Sequence, residues 1–190
     1  MQMKEMTAAI LVGGVSRRMG TNKSFLEHGE FTMLSRLIKE CEEFQEVLLS
    51  VGESAPYEEL GCRIVKDELI KYGPIEGIYQ ILRGAKTDYV FILATDMPEV
   101  SKAFMNEMVQ ALNGEICLVA RTGDHTHPLC AIYHKDAIPV LERMRRENIH
   151  RAQLLIRELN ANCYDVKNEK SVINVNTPEE YHAWKKDRQG

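Results

Sequence analysis

The segment from residue 11 to residue 23 carries the side chains best suited to chemistry, because it combines two adjacent glycines with several cations. Gly13 and Gly14 allow the backbone to approach a ligand closely, and consecutive N–H groups in such a loop can form an anion-binding concavity. Arg18 and Lys23 can add charge-assisted hydrogen bonds to phosphate oxygens. The segment has neither P-loop nor G-x-G-x-x-G spacing. It therefore predicts a phosphate-binding loop, with a solvated basic surface loop as the alternative.

Asp96 is a second candidate for chemistry. It follows the apolar run 89–94, which has the length of a buried strand, so its carboxylate would lie at the carboxyl end of that strand. A carboxylate there can occupy one or two positions around octahedral Mg²⁺, while phosphate oxygens and water supply the others. The alternative is a turn or cap aspartate in front of the helix that Ser101 is expected to cap.

Two further groups of side chains have weaker patterns. His125 and His127 could present two imidazoles on one side of an extended segment, but no third ligand stands at a supporting spacing and the surroundings are typical of a loop. A zinc site is therefore not expected. The arginines between residues 143 and 157 are interspersed with glutamates, which favours a solvated, ion-paired face. The alternative is that Arg151 or a neighbour holds a second, phosphate-bearing substrate.

The hydrophobic pattern predicts the elements that must position these residues. Short apolar runs such as 7–12 and 89–94 are typical of strands covered on both faces. Strands that alternate with helices predict a single α/β domain over residues 1–190, a Rossmann-like three-layer sandwich with a mainly parallel central sheet. Ligands of such sheets bind beyond the carboxyl ends of the strands, where the loops after Val12, Val65 and Ala94 lie. The predicted strands are 7–12, 46–51, 62–65, 89–94, 116–120, 129–133 and 172–175, and the helices begin near residues 32, 74, 101, 135 and 178.

The composition restricts the possible functions. The chain has 190 residues, of which 44% are hydrophobic, and a formal net charge of −4, so a broad nucleic-acid interface is not expected. The apolar runs are too short to span a bilayer, and the N-terminus lacks the apolar region of a signal peptide. The five cysteines are scattered without a C-x-x-C pair, as in proteins whose thiols are reduced. We therefore expect a cytoplasmic protein that binds neither nucleic acid nor membrane.

The glycine-rich segment also fits the pattern G-G-x-S-x-R-M-G-x-x-K, which resembles the nucleotide-binding signature of the MobA-like nucleotidyltransferases. Four more segments between residues 73 and 179 are similar to motifs of that family and occur in the same order. Only Val12 departs from the usual L-A-G-G opening. The signature positions are Gly13, Gly14, Ser16, Arg18, Met19, Gly20 and Lys23, and the further segments are 73–77 (G-P-I-E-G), 94–98 (A-T-D-M-P), 128–133 (P-L-C-A-I-Y) and 174–179 (N-V-N-T-P-E).

The resemblance implies a fold like that of the nucleotide-diphospho-sugar transferases and an Mg²⁺-dependent reaction. GMP would pass from GTP to the terminal phosphate of molybdopterin or molybdenum cofactor, with release of pyrophosphate. Transient contacts with other cofactor-biosynthesis proteins or with recipient molybdoenzymes would follow from that role. A cytidylyltransferase of the same fold is the alternative, although Gly14 leaves room for a purine and favours GTP. A regulatory nucleotide-binding module is a further alternative, against which the retained Arg18, Lys23 and Asp96 argue.

The resemblance also implies roles for single residues. Asp67 would contribute to the guanine pocket, with Glu68 as the alternative. Asn174 and Asn176, predicted to share one face of a short strand, would contact the acceptor or lie near the metal; edge-strand hydrogen bonding is the simpler alternative. The implied catalytic residues are Arg18, Lys23 and the metal ligand Asp96; the nucleotide-binding residues are Leu11, Val12, Gly13, Gly14, Lys23, Asp67, Gly73, Gly77 and Asp96; and the acceptor-binding residues are Asn174, Asn176 and Arg151.

Overall fold

The first strand shows how the sequence builds the sheet. All six residues of Thr7–Val12 are buried in the computed structural model, which describes residues 1–12, 27–28, 31–52, 57–69 and 72–187. The strands are β1 Thr7–Val12, β2 Glu27–His28, β3 Phe31–Thr32, β4 Glu46–Val51, β5 Arg63–Lys66, β6 Tyr89–Ala94, β7 Cys117–Thr122, β8 His125–His134 and β9 Asn162–Asp165. The helices are α1 Met33–Glu40, α2 Pro74–Gly84, α3 Lys102–Ala111, α4 Ile138–Arg146, α5 Ala152–Glu158 and α6 Pro178–Asp187.

Within the described part of the chain, seven strands form one sheet in the order β5-β4-β1-β6-β8-β7-β9, and β2 pairs with β3 separately. The pairs β5–β4, β4–β1, β1–β6 and β7–β9 are parallel, whereas β8 runs antiparallel to both its neighbours. The predicted α/β fold with a mainly parallel sheet is therefore confirmed.

Helices cover both faces of this sheet because the side chains of β1 alternate between them. Ala8, Ile10 and Val12 pack in the core that contains α1 and α3. Ala9 and Leu11 pack in the second core, which contains α2, α4 and α5. The three predicted layers follow from this alternation.

The helix starts agree with the sequence. The Thr32 hydroxyl accepts a hydrogen bond from the Ser35 N–H at 3.1 Å at the start of α1, and Ser101 caps α3 through the Phe104 N–H at 3.3 Å. Pro74 occupies the first turn of α2, where its missing N–H has no cost.

The predicted strand over 172–175 is wrong. Residues Glu169–Val172 form a 3₁₀ turn, and the chain from 173 to 176 has no regular structure. Its apolar residues favour a strand by propensity, but the Val175 N–H donates to the carbonyl oxygen of Asp96 at 2.8 Å instead of to a strand ladder. The chain then enters α6 immediately.

Two other strand predictions also need correction. The strand β9 was missed because it lies at the sheet edge, where Asn162 and Asp165 are exposed and the residues between them are only half-buried. Strand β8 begins at His125, so the two histidines predicted in a loop belong to a strand. Both errors arise where pairing with β7, rather than an apolar pattern, makes the segment extended.

Candidate active site

Four parallel strands end at the same edge of the sheet, and the predicted site residues follow them. In the register of the sheet, Val12 lies opposite Val51, and Leu11 lies opposite Ala94. Asp67 directly follows β5, and Asp96 follows β6 by two residues. The chain after β1 continues into the glycine-rich segment. The residues predicted there, Gly13, Gly14, Arg18 and Lys23, lie outside the described residues, and their roles stay predictions.

Asp67 is held at this edge by contacts on its backbone and on its side chain. Its N–H donates to the Val51 carbonyl oxygen at 3.1 Å, and its Oδ1 accepts from the Ser50 hydroxyl at 3.2 Å. Burial raises the pKa of the Asp67 carboxyl above its ordinary value; the Ser50 hydrogen bond opposes this shift, and the charge of Glu76 adds to it. A half-buried hydrogen-bond acceptor therefore stands beside the ends of β4 and β5.

Gly77 brings α2 against the same edge. A β-carbon at this position would lie 2.8 Å from Ser50 Oγ and 3.3 Å from Leu11 Cδ2, so only glycine permits this approach without movement. Gly73, which precedes α2, has a φ of +96°, a conformation that side chains with a β-carbon rarely adopt. The structure thus brings Gly77 against Leu11 and Ser50, and Ser50 in turn holds Asp67, while Gly73 begins the same helix. The nucleotide-binding roles of these residues stay predictions.

Glu76 is a residue whose importance the sequence analysis missed. Its side chain is fully buried, and its Oε1 accepts hydrogen bonds from the N–H groups of Glu68 and Leu69 at 3.0 and 3.2 Å. Arg145 of α4 donates from Nε to Oε2 of Glu76 at 2.6 Å. The available signal was a lone acidic residue in the otherwise apolar start of α2, which is unusual for a buried helix face.

Asp96 lies beside the end of β1 and beside the segment that precedes α6. The neighbouring Thr95 hydroxyl donates to the Leu11 carbonyl oxygen at 3.5 Å, and the carbonyl oxygen of Asp96 accepts from the Val175 N–H. Its Oδ1 is buried. Among the described residues, no group of three or more histidine, cysteine or acidic side chains could enclose a metal ion. A single carboxylate such as that of Asp96 suits Mg²⁺ shared with phosphate oxygens, because Mg²⁺ usually binds through one or two carboxylates and substrate.

The two predicted acceptor asparagines do not share a strand face, because their segment is not a strand. Asn174 is half-buried and lines an open cavity of about 420 Å³ together with His125, His127 and Lys170. Asn176 is exposed, and its N–H donates to Glu180 Oε2 at 2.6 Å at the start of α6. Asn174 thus lies next to the Asp96 contact, whereas the backbone of Asn176 belongs to the helix start.

The cavity lies between the start of β8 and the 3₁₀ turn. His127 is buried, its Nε2 lies 2.9 Å from the Thr122 hydroxyl oxygen, and burial lowers its pKa below the ordinary value, with the nearby His125 adding to the shift. A neutral imidazole at this position can form hydrogen bonds without carrying charge.

Arg151 is exposed and precedes α5, on the other side of β8 from the cavity. Two residues later, Gln153 exchanges hydrogen bonds of 2.9 Å with the hydroxyl and the carbonyl oxygen of Thr126 in β8. Arg143 forms ion pairs of 3.3 and 2.6 Å with Glu147 and Glu158 on the surface, as the solvated-face interpretation predicts. Arg145 differs, because it pairs with buried Glu76.

The described residues include no helix that is both long and apolar enough to cross a membrane.

Residues 8–163 match the family model of the MobA-like NTP transferase domain. The chain belongs to the MobA-like NTP transferase family. The family resemblance is therefore confirmed, with four of the five quoted motifs inside the matched range and the segment 174–179 beyond it. The sheet edge described above belongs to a nucleotidyltransferase fold.

Similar proteins agree with this assignment. A probable molybdenum cofactor guanylyltransferase of Clostridium perfringens is 31% identical over 188 residues, which cover 92% of this chain and 93% of the relative. A molybdenum cofactor guanylyltransferase of Campylobacter jejuni is 30% identical over 194 residues, which cover 98% of this chain and 99% of the relative. The crystal structure of molybdopterin-guanine dinucleotide biosynthesis protein A from Archaeoglobus fulgidus superposes with a TM-score of 0.82 at 25% identity, over 96% of this chain and 98% of that one.

Proposed function

We propose that this MobA-like transferase is a molybdenum cofactor guanylyltransferase, which transfers GMP from GTP to the terminal phosphate of molybdopterin and releases pyrophosphate. One observation carries the proposal. Asp67 and Asp96 follow strands on opposite sides of β1, whose end leads into the predicted phosphate-binding loop. Three strand spacings separate β5 from β6, so the two strands lie about 14 Å apart. This separation suits a nucleotide with its base near Asp67 and its triphosphate near Asp96.

The base selection follows from the chemistry of the Asp67 carboxylate. An ionised carboxylate only accepts hydrogen bonds, and guanine offers two adjacent donors on its Watson–Crick edge, the N1–H and the 2-amino group. Cytosine offers a single amino donor beside the acceptor N3, which would repel the second oxygen of the carboxylate. The half-buried Asp67 therefore favours GTP over CTP, in agreement with the names of the similar proteins.

The reaction needs no covalent enzyme intermediate, because the acceptor phosphate is already an anionic nucleophile. One of its oxygens forms a bond to the α-phosphorus of GTP, the bond from that phosphorus to the bridging oxygen breaks, and pyrophosphate leaves with the electron pair. The protein contributes position and charge. Arg18 and Lys23 neutralise the triphosphate in this proposal, and Asp96 holds Mg²⁺, which would neutralise developing charge on the leaving oxygens.

The acceptor belongs on the β8 side of Asp96 in this proposal. Asn174 lines the cavity there, and its amide can contact a phosphate or a metal-bound water without adding charge. Asn176 belongs to the same segment as Asn174. The acceptor role of Arg151, which lies on the other side of β8 from this cavity, stays a prediction from the sequence. A cavity of about 420 Å³ is large enough for a pterin-sized group.

The test is incubation of the purified protein with molybdopterin, Mg²⁺ and either GTP or CTP, followed by mass analysis of the products. We expect the guanine dinucleotide and pyrophosphate. A cytosine dinucleotide formed in preference would favour the cytidylyltransferase, and GTP binding without any product would favour a regulatory nucleotide-binding module.

Variants test the residue roles in the same assay. Asp96→Ala and Lys23→Ala should each lower the rate on the order of 10²–10³-fold, because the first removes the proposed Mg²⁺ ligand and the second removes a cation directed at the triphosphate. Asp88→Asn is the matched control for Asp96, since Asp88 directly precedes β6 and is exposed. Lys167→Ala is the control for Lys23, because its side chain is 80% exposed. Near-normal turnover by folded Asp96→Ala protein would contradict the role of Asp96.

A further inference from the structure

We propose that Glu76 and Arg145 form a positioning pair, which fixes the turn 67–69 and thereby holds the Asp67 carboxylate in the orientation that selects guanine. Neither side chain needs to touch the nucleotide for this effect. The inference rests on the proposed function, because it takes Asp67 to be the residue that contacts the base.

The contacts of Glu76 immobilise the backbone on the carboxyl side of Asp67. Oε1 of Glu76 accepts from the N–H groups of Glu68 and Leu69, the two residues that follow Asp67, at 3.0 and 3.2 Å. On the amino side, the N–H of Asp67 itself donates to the Val51 carbonyl oxygen. The turn is therefore held on both sides of Asp67, and one side depends on a single buried carboxylate.

Arg145 provides the charged partner of that carboxylate in its buried position. Its Nε and Nη2 donate to the two oxygens of Glu76 at 2.6 and 3.3 Å, and its guanidinium lies 4.0 Å from the centre of the Tyr79 ring. A buried carboxylate without a partner is strongly unfavourable. The guanidinium fork satisfies Glu76 in a fixed geometry that a lysine cannot reproduce.

The contacts around Glu76 and Arg145 indicate that the pair does more than join α2 to α4. Apolar side chains of both helices share the core on this face of the sheet, among them Ile75, Ile78, Leu141 and Met144, and the Tyr79 hydroxyl donates to Glu142 at 3.2 Å. A pair of apolar side chains would pack such an interface without the desolvation cost of two charges. What an apolar pair could not do is accept the two N–H groups of the turn, and that function is specific to the residues beside Asp67.

The experiment measures equilibrium binding of GTP and of ATP to the full chain, together with the melting temperature. Arg145→Met and Glu76→Met should weaken GTP binding on the order of tenfold, because the turn loses its acceptor or the partner of that acceptor and Asp67 loses its fixed orientation. ATP binding, which does not use the same donor pair, should change much less. The GTP-to-ATP preference therefore falls, whereas a general loss of stability would lower the folded fraction for both nucleotides alike.

Three further proteins make the result decisive. Arg143→Met is the matched control on α4, because Arg143 pairs only with surface glutamates in its described contacts, and it should leave the preference unchanged. Arg145→Lys keeps the positive charge but lacks the guanidinium fork, and it should lose part of the GTP-to-ATP preference. This variant provides the test if Arg145→Met does not fold. In an Asp67→Asn background, Arg145→Met should cause no further loss of preference, since both act through one contact.

An unchanged GTP-to-ATP preference in folded Arg145 and Glu76 variants would overturn the inference, as would a full further loss in the Asp67→Asn background. A wild-type protein that does not prefer GTP would also overturn it. The outcome is separable from the proposed function, because the binding assay contains no acceptor. A protein that prefers GTP but transfers no GMP would contradict the proposed reaction and leave the positioning pair supported.

Discussion

Gly77→Ala tests the close contact between α2 and the sheet edge. The added β-carbon would lie 2.8 Å from Ser50 Oγ, a separation at which one of the two groups must move. The serine hydroxyl can rotate, but its rotation breaks the 3.2 Å hydrogen bond to Asp67. A single methyl group on α2 should therefore alter Asp67, which it does not touch.

The expected effect on stability is small because two contributions oppose each other. Replacement of a helical glycine by alanine gains about 1 kcal/mol, and loss of one hydrogen bond costs about 1 kcal/mol. The 3.3 Å approach to Leu11 adds a minor repulsion. The free energy of unfolding should therefore stay within about 1 kcal/mol of the wild-type value. GTP affinity should fall on the order of tenfold, because Asp67 loses the hydroxyl that orients its carboxylate.

The assay combines urea denaturation with GTP titration. Gly84→Ala is the matched control at the end of α2, where a β-carbon would meet only ordinary contacts at 3.7 and 3.8 Å. It should raise stability by up to about 1 kcal/mol and leave GTP affinity unchanged. Wild-type GTP affinity in Gly77→Ala, or an equal loss in Gly84→Ala, would refute the reasoning.

Four further predictions concern Asp67, Asn174 and Thr177. Because the pKa of Asp67 is raised, its carboxylate takes up a proton at a higher pH than an exposed aspartate does, and GTP affinity should weaken as the pH falls through that range. The same pH dependence of GTP affinity in Asp67→Asn would contradict this prediction. The same shift means that Asp67 adds to the free energy of unfolding below the pKa it has in the unfolded chain. That contribution is lost as the pH rises through the pKa of the folded protein, and urea denaturation at several pH values measures the loss. Asn174→Ala should raise the acceptor KM on the order of tenfold without changing the GTP KM, and equal changes in both would exclude an acceptor role. Thr177→Ala should lower the free energy of unfolding by about 1 kcal/mol, because the Thr177 hydroxyl accepts from the Glu180 N–H at 3.2 Å, whereas Thr177→Ser should not.

The sequence by itself determined the elements whose signals are local. The apolar run of β1, the caps at Thr32 and Ser101, and Pro74 at the start of α2 each depend on neighbouring residues, and each was predicted at its observed position. The position of Asp96 after β6 followed from the same local pattern, and the order of the motifs identified the family.

Only the tertiary structure decided which side chains cooperate across the chain. Glu76 and Arg145 are 69 positions apart, and their pairing depends on how α2 packs against α4. The edge strand β9 and the irregular segment 173–176 likewise take their conformation from β7 and from Asp96. Local patterns report propensity and burial, whereas the partner of a buried charge or of a backbone N–H depends on distant segments that meet only in the folded protein.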